Sequence, residues 1–305
     1  MNLVITGSSS GIGKFLADTL AGQGHVVGRL ARSLQTNFGS APTPSPSPSG
    51  VRSPDLDTVA PPRPNPLIHC QETERALALR CDVSNWSELV AAASQVAQKW
   101  NSVDGLVCCA GVQEPIGPAM EMDPAAWRNA LAVNLDGTFF SIRAFYPLLR
   151  KSSQRAKVIC FSGGGSTGPR PNFAAYGVSK TGVVRLVETL AAEWQTQALD
   201  INAVAPGAIF TKMTEQVLAS GAAVAGKKEF EQASKLSRDN AVTLEKVRGL
   251  VEFLLSEKSN GISGRLLSAP WDPWPNLAGH RDELAASDIY TLRRIVPEDR
   301  GKKWS

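Results

Sequence analysis

Asn2-Leu3-Val4-Ile5-Thr6-Gly7-Ser8-Ser9-Ser10-Gly11-Ile12-Gly13 opens the chain as a short apolar run, a turn rich in glycine and serine, and the start of a helix. Apolar Phe15, Leu16 and Leu20 follow at helical spacing. Gly7 permits a tight turn, Gly11 lets the backbone approach a phosphate, and Gly13 lets helix and strand pack closely. The first turn of such a helix offers free backbone N–H groups and a partial positive charge, the natural seat of a pyrophosphate. A glycine triplet alone is common in turns. Here the strand before it, the helix after it and a second strand at about 25–30 make the context specific.

Outward from that unit, strands and helices alternate. Strands are expected at about 2–6, 25–30, 77–81, 104–109, 157–162, 199–204 and 265–268. Asp123-Pro124 supplies an N-cap and an N1 proline for one helix, and Ser84 or Asn85 caps another. The alternation with right-handed crossovers predicts a doubly wound parallel α/β sheet in a single domain, residues 1–270. Two stretches stand outside the rhythm. Residues 36–68 hold nine of the chain's twenty prolines and cannot bury enough apolar surface to offset their ordering entropy, so a disordered insertion is expected there. Residues 271–305, rich in Trp and Pro at their start, are expected to pack as an extension on the domain or a neighbouring subunit. A capping role over a substrate is the alternative.

Composition narrows the function classes. At 305 residues the chain can bury a full core. A net charge of +4 with no basic cluster interleaved with aromatics gives no sign of a nucleic-acid partner. No apolar run approaches a membrane-span length. The first strand begins at residue 2, so no leader is expected and a cytoplasmic location follows. The five cysteines, Cys70, Cys81, Cys108, Cys109 and Cys160, read as reduced core residues. No Cys/His cluster suggests a metal.

The second decisive stretch is Ala175-Tyr176-Gly177-Val178-Ser179-Lys180. Its phenol and ammonium stand one helical turn apart on one face. A fixed positive charge nearby would pull a tyrosine's pKa down from about 10 toward the working range. Together with the G-x-x-x-G-x-G turn, this resembles the compact subtype of the short-chain dehydrogenase/reductase superfamily. Further landmarks fall in order: Asp82-Val83, Cys108-Cys109-Ala110-Gly111 where the family usually reads Asn-Asn-Ala-Gly, Val133-Asn134-Leu135, and Ala205-Pro206-Gly207-Ala208-Ile209-Phe210-Thr211. The resemblance spans nearly all the chain except 36–68 and the last 35 or so residues.

The resemblance implies a nicotinamide cofactor held by Gly7, Ser9, Ser10, Gly11, Ile12, Gly13, Asp82, Val83, Ala110, Gly111, Asn134, Tyr176, Lys180, Pro206, Gly207, Ile209 and Thr211. The end of the second strand, Gly28-Arg29-Leu30-Ala31-Arg32-Ser33, holds no acid to bind ribose hydroxyls. Arg32 stands where a cation could pair with a 2′-phosphate, so NADP is expected before NAD. The resemblance also implies that Tyr176 is the general acid/base and that Lys180 lowers its pKa and bonds the nicotinamide ribose. Asn134 would hold a water leading to solvent. The family's active-site serine would fall thirteen residues before Tyr176, at Gly163. Ser162 is the first choice for the donor and Ser166 the second; the third alternative is that neither acts. The expected activity is interconversion of a carbonyl and an alcohol on a small molecule, by a homodimer or homotetramer. A cofactor-binding regulatory or scaffold protein of the same fold is the alternative.

Overall fold

The computed structural model describes residues 1–33, 70–73 and 76–304, with backbone only at 70–73. The proline-rich insertion expected at 36–68 lies outside the described residues, as does the Cys70 side chain. Among the described residues, eight strands form one sheet: β1 (Asn2–Thr6), β2 (Val26–Ala31), β3 (Cys70–Thr73), β4 (Ala76–Arg80), β5 (Gly105–Cys108), β6 (Ala156–Phe161), β7 (Leu199–Ala205) and β8 (Leu266–Ser268). Their order is β3-β4-β2-β1-β5-β6-β7-β8. All neighbours run parallel except β3, which pairs antiparallel with β4 at the edge. The sequence reading missed β3. Chain order reverses direction between β1 and β5, so a crevice opens at the carboxyl ends of those strands.

Among the described residues, nine α-helices pack around the sheet: α1 (Gly11–Gly22), α2 (Trp86–Lys99), α3 (Pro124–Leu131), α4 (Gly137–Leu149), α5 (Ala174–Glu193), α6 (Lys212–Ala225), α7 (Lys227–Lys235), α8 (Ala241–Leu255) and α9 (Arg281–Ala285). Asn85 caps α2 by accepting from the N–H groups of Ser87 and Glu88, and Asp123 caps α3 through Ala125 and Ala126. Leu89, Val96, Ile142, Phe145 and Val183 place α2, α4 and α5 over one face of the sheet. Leu16, Leu20, Leu250 and Leu254 place α1 and α8 over the other. Leu277 and the α9 residue Leu284 join that second layer, so the segment after Ser268 is stitched to its own domain.

A charged pair is buried in the sheet. Lys157 Nζ on β6 bonds Asp200 Oδ2 on β7 at 2.8 Å and Ser259 Oγ at 3.1 Å. Asp200 also accepts from Arg155 and from the Gly261 N–H. Every strong bond of the pair is met internally, which is what burying two charges requires.

Candidate active site

The glycine turn after β1 is sterically forced. Gly7 has φ +68°, and a Cβ there would stand 2.6 Å from the Ala110 nitrogen. A Cβ on Gly13 would meet the Gly7 oxygen at 2.4 Å. Gly11 differs: at φ +53° its missing side chain would touch only Thr211 Cγ2, at 3.9 Å. The space above Gly11 is thus a cradle that a side chain would fill. Ser10 stands at the N-cap of α1 without bonding the helix's N–H groups through its side chain, and the first turn holds no acid. Donors and partial positive charge therefore face the crevice together.

A cleft of about 1090 Å³ extends from Ile12 along the carboxyl ends of β5, β6 and β7. Of the residues expected at the site, Ile12, Gly111, Ser162, Tyr176, Lys180, Pro206, Gly207, Ile209 and Thr211 line it. Asp82 stands apart beyond β4, its Oδ1 accepting from the Ser84 N–H and hydroxyl. Val83 is buried, and a Cβ on Gly137 would touch its side chain at 2.7 Å; only its backbone is available to a ligand. Arg32 is exposed just past β2. Ala110 packs over Gly7, its N–H donating to Thr6 Oγ1.

Tyr176 and Lys180 lie in the first two turns of α5, both buried. Lys180 Nζ donates to the Phe161 carbonyl at the end of β6, at 2.9 Å, and is 5.8 Å from the Tyr176 ring centre. Burial draws the Lys180 ammonium down to about 8. Burial also raises the Tyr176 phenol, and the charge that opposes this is Arg170. The Lys180 ammonium itself is turned to a backbone carbonyl. The sequence reading missed Arg170. Its Nε and Nη2 donate to Glu229 Oε2 on α7 at 3.0 and 2.7 Å. Its guanidinium lies 3.8 Å from the Phe173 ring centre and 5.7 Å from that of Tyr176.

The loop after β6 explains the missing serine. Ser162 continues the ladder, its N–H donating to the Val204 carbonyl at 2.8 Å. A Cβ on Gly163 would stand 2.2 Å from Tyr176 Oη, so the phenol occupies the space a side chain there would need. Arg170 lies 3.8 Å from where a Cβ on Gly164 would be and 3.3 Å from one on Gly165. Gly163 makes room for the tyrosine, whereas Gly165, at φ +93°, lets the loop approach the Gly177 backbone and Arg170. Ser162 Oγ is buried in the cleft wall with no hydrogen-bond partner among the described residues. Ser166 is buried in the same wall.

Asn134 interrupts the helical run between α3 and α4 with a π-helical turn, Ala132–Asp136. Such turns frequently mark functional positions. Fully buried, its amide accepts from the Val112 N–H at 2.8 Å and donates to the Val112 carbonyl and Ser179 Oγ, both at 2.9 Å. Its Oδ1 and Lys180 Nζ stand 3.2 and 3.5 Å from where a Cβ on Gly111 would be. The asparagine therefore fixes the loop after β5 against the lysine. Burial holds the Cys109 thiol well above its usual range, so it faces the cleft as a neutral group.

With this geometry in hand, the comparisons identify the class. A family model described as enoyl-(acyl carrier protein) reductase matches residues 66–269. A short chain dehydrogenase of Monascus purpureus is 28% identical over 292 residues, covering 96% of this chain and 88% of its own. L-2,3-butanediol dehydrogenase of Corynebacterium glutamicum is 27% identical over 270 residues, covering 87% and 95%. The solved structure of ligand-free aldohexose dehydrogenase from Thermoplasma acidophilum matches with a TM-score of 0.65 at 20% identity, covering 96% of this chain and 97% of that one. The chain belongs to the short-chain dehydrogenase/reductase superfamily. It is an oxidoreductase acting on CH–OH groups with NAD(P) as acceptor. The open cradle at Gly11 and the uncommitted N-terminus of α1 fit the pyrophosphate of such a cofactor. No helix among the described residues is long and apolar enough to cross a membrane.

Proposed function

We propose that the protein is an NADP(H)-dependent oxidoreductase that interconverts a carbonyl and an alcohol on a small molecule, with Tyr176 as general acid/base. The observation that carries this reading is the buried, unpartnered Ser162 Oγ in the cleft that also holds Tyr176 and Lys180. Burying a hydroxyl without a partner costs on the order of 1–3 kcal/mol, and a substrate oxygen accepting from it would remove that cost. In reduction, Tyr176 Oη gives its proton to the substrate oxygen while Ser162 Oγ donates a hydrogen bond to the same atom. A nicotinamide held there would supply the hydride. Lys180 would hold the ribose beside the tyrosine, and Asn134 holds the Val112–Gly111 wall in place. Ile209 and Thr211, at the start of α6, would meet the carboxamide. Asp82 and the Val83 backbone would meet the adenine. Arg32 favours NADP, because residues 28–33 offer a cation and no acid to the 2′ position. We further expect a homodimer or homotetramer, with α5, which leaves Val178 half exposed, packed between subunits; light scattering that finds only monomer would refute it.

The test is a titration with NADPH and NADH followed by a carbonyl panel on wild type, Tyr176→Phe and Ser162→Ala. Tyr176→Phe should abolish turnover while cofactor binding persists. Ser162→Ala should lose on the order of 100-fold in kcat. Binding without turnover in wild type would leave the scaffold reading standing instead. Tighter binding of NADH than NADPH would remove the role given to Arg32.

A further inference from the structure

The cleft contains a second buried polar group that the proposed chemistry does not use. Gln113 follows Val112 in the loop after β5, lines the cleft, and is only 5% exposed. Its Nε2 has no hydrogen-bond partner among the described residues. The loop does not leave it there through slackness. On one side Asn134 grips both backbone groups of Val112. On the other, Glu114 Oε2 accepts from Gln216 Nε2 on α6 at 2.8 Å. A glutamine held between two anchors with its amide nitrogen unpaired is expensive to bury, and buried polar groups are paired in all but a few per cent of cases.

Its chemistry narrows the ligand. An amide is neutral, and it can both donate to and accept from a hydroxyl or donate to a carbonyl. Of the cations that line the cleft, Arg170 is engaged by Glu229 and Lys180 by the Phe161 carbonyl, while Lys235 stands at the far end of α7. Ser162 and Tyr176 account for the reacting oxygen. We propose that Gln113 is a specificity-determining residue that hydrogen-bonds a second, neutral oxygen of the substrate. The substrate class is then diols and hydroxy-ketones rather than simple alcohols and ketones or oxo acids. This rests on the oxidoreductase reading of the Tyr176 cleft.

The experiment uses matched series, plain methyl ketones and their α-hydroxy analogues from three to eight carbons, with pyruvate as the charged member. Initial rates with NADPH are measured on wild type and on Gln113→Met, which keeps the length and removes the polar end. Wild type should prefer the hydroxy-ketones by about 10- to 100-fold in kcat/KM, and Gln113→Met should collapse that ratio toward one, chiefly through KM. Gln113→Glu, which cannot donate when ionised, should collapse it too, and this separates a hydrogen-bonding role from a packing one. Preference for plain ketones, preference for pyruvate, or a ratio untouched by Gln113→Met would each overturn the proposal while leaving the Tyr176 chemistry intact. Failure of wild type on every member would overturn both.

Discussion

At Gly163 a Cβ would overlap Tyr176 Oη, so the residue the family's spacing would make a serine is here a steric requirement of the tyrosine's position. Gly163→Ser should therefore lower kcat by more than about 10-fold and stability by about 1–3 kcal/mol, because the phenol must move. A rise in kcat would show that the pocket wants the family's arrangement after all. Arg170 is the second residue-scale lever. In alcohol oxidation the phenolate is the competent form, and the Arg170 charge is what opposes the rise that burial imposes. Replacing it with Gln removes that opposition, so the limb of the kcat–pH profile that reports Tyr176 should move to higher pH, and Arg170→Lys should restore part of the shift. Lys180 also bears on stability. In the fold it titrates near 8, against an ordinary 10.5. Between those values the unfolded chain keeps a proton the fold has shed, so stability rises with pH across that window. The buried Cys81, Cys109 and Cys160 thiols, which burial holds up, work in the opposite sense above about pH 9, so the readout is a difference: in apoprotein melts from pH 7 to 10, the Tm of wild type relative to Lys180→Met should rise with pH. The tyrosine and lysine were legible because a helix turns an (i, i+4) spacing into shared position. Arg170 and Gln113 were not, because they reach the cleft through loops whose paths no local period encodes.

At the scale of the elements, Lys157 and Asp200 show where the sheet is held independently of the cleft. Lys157 alone would be a buried cation, and Asp200 accepts from three different donors. Asp200→Ala should cost about 3–5 kcal/mol by leaving that cation uncompensated, visible as a lower urea midpoint. Lys157→Met with Asp200→Leu should recover much of the loss. Seven of the eight strands could be read in the sequence, since buried parallel strands are apolar runs bounded by turn residues. β3 could not. Its sequence, Cys70-Gln71-Glu72-Thr73, has no apolar alternation, and it becomes a strand only because β4 offers an unpaired edge. The π-helical turn at Asn134 was equally hidden. It arises where the asparagine amide is committed to Val112 and Ser179, contacts 22 and 45 residues away in sequence. The helix α7 carried no visible pocket chemistry in sequence, yet it delivers Glu229 to Arg170.

Across the whole molecule, the segment after Ser268 joins the rear core to the mouth of the cleft. A Cβ on Gly207 would meet Pro270 at 2.8 Å, so the Pro-Gly loop and the start of this segment are in contact. Trp271, Asp272, Tyr290 and Thr291 then line the cleft. The segment is anchored by Arg265, which is 8% exposed and donates to the carbonyls of Leu284, Ser287 and Ile289. Glu188 on α5 adds a bond from the Leu292 N–H at 2.6 Å. Stopping the chain after Ala286 leaves Leu277 and Leu284 in the core but strips Arg265 of two of its three carbonyls. The buried guanidinium then lacks partners, at a cost of about 3 kcal/mol. The truncated protein should melt at lower temperature and show a raised KM, since Tyr290 and Thr291 leave the cleft wall. Adding Arg265→Met to the truncation separates the two effects. The lost stability should largely return, because no charge remains to be satisfied, whereas KM should stay raised. A KM that recovered together with Tm would mean that the tail acts on substrate only through stability, with no contact of its own.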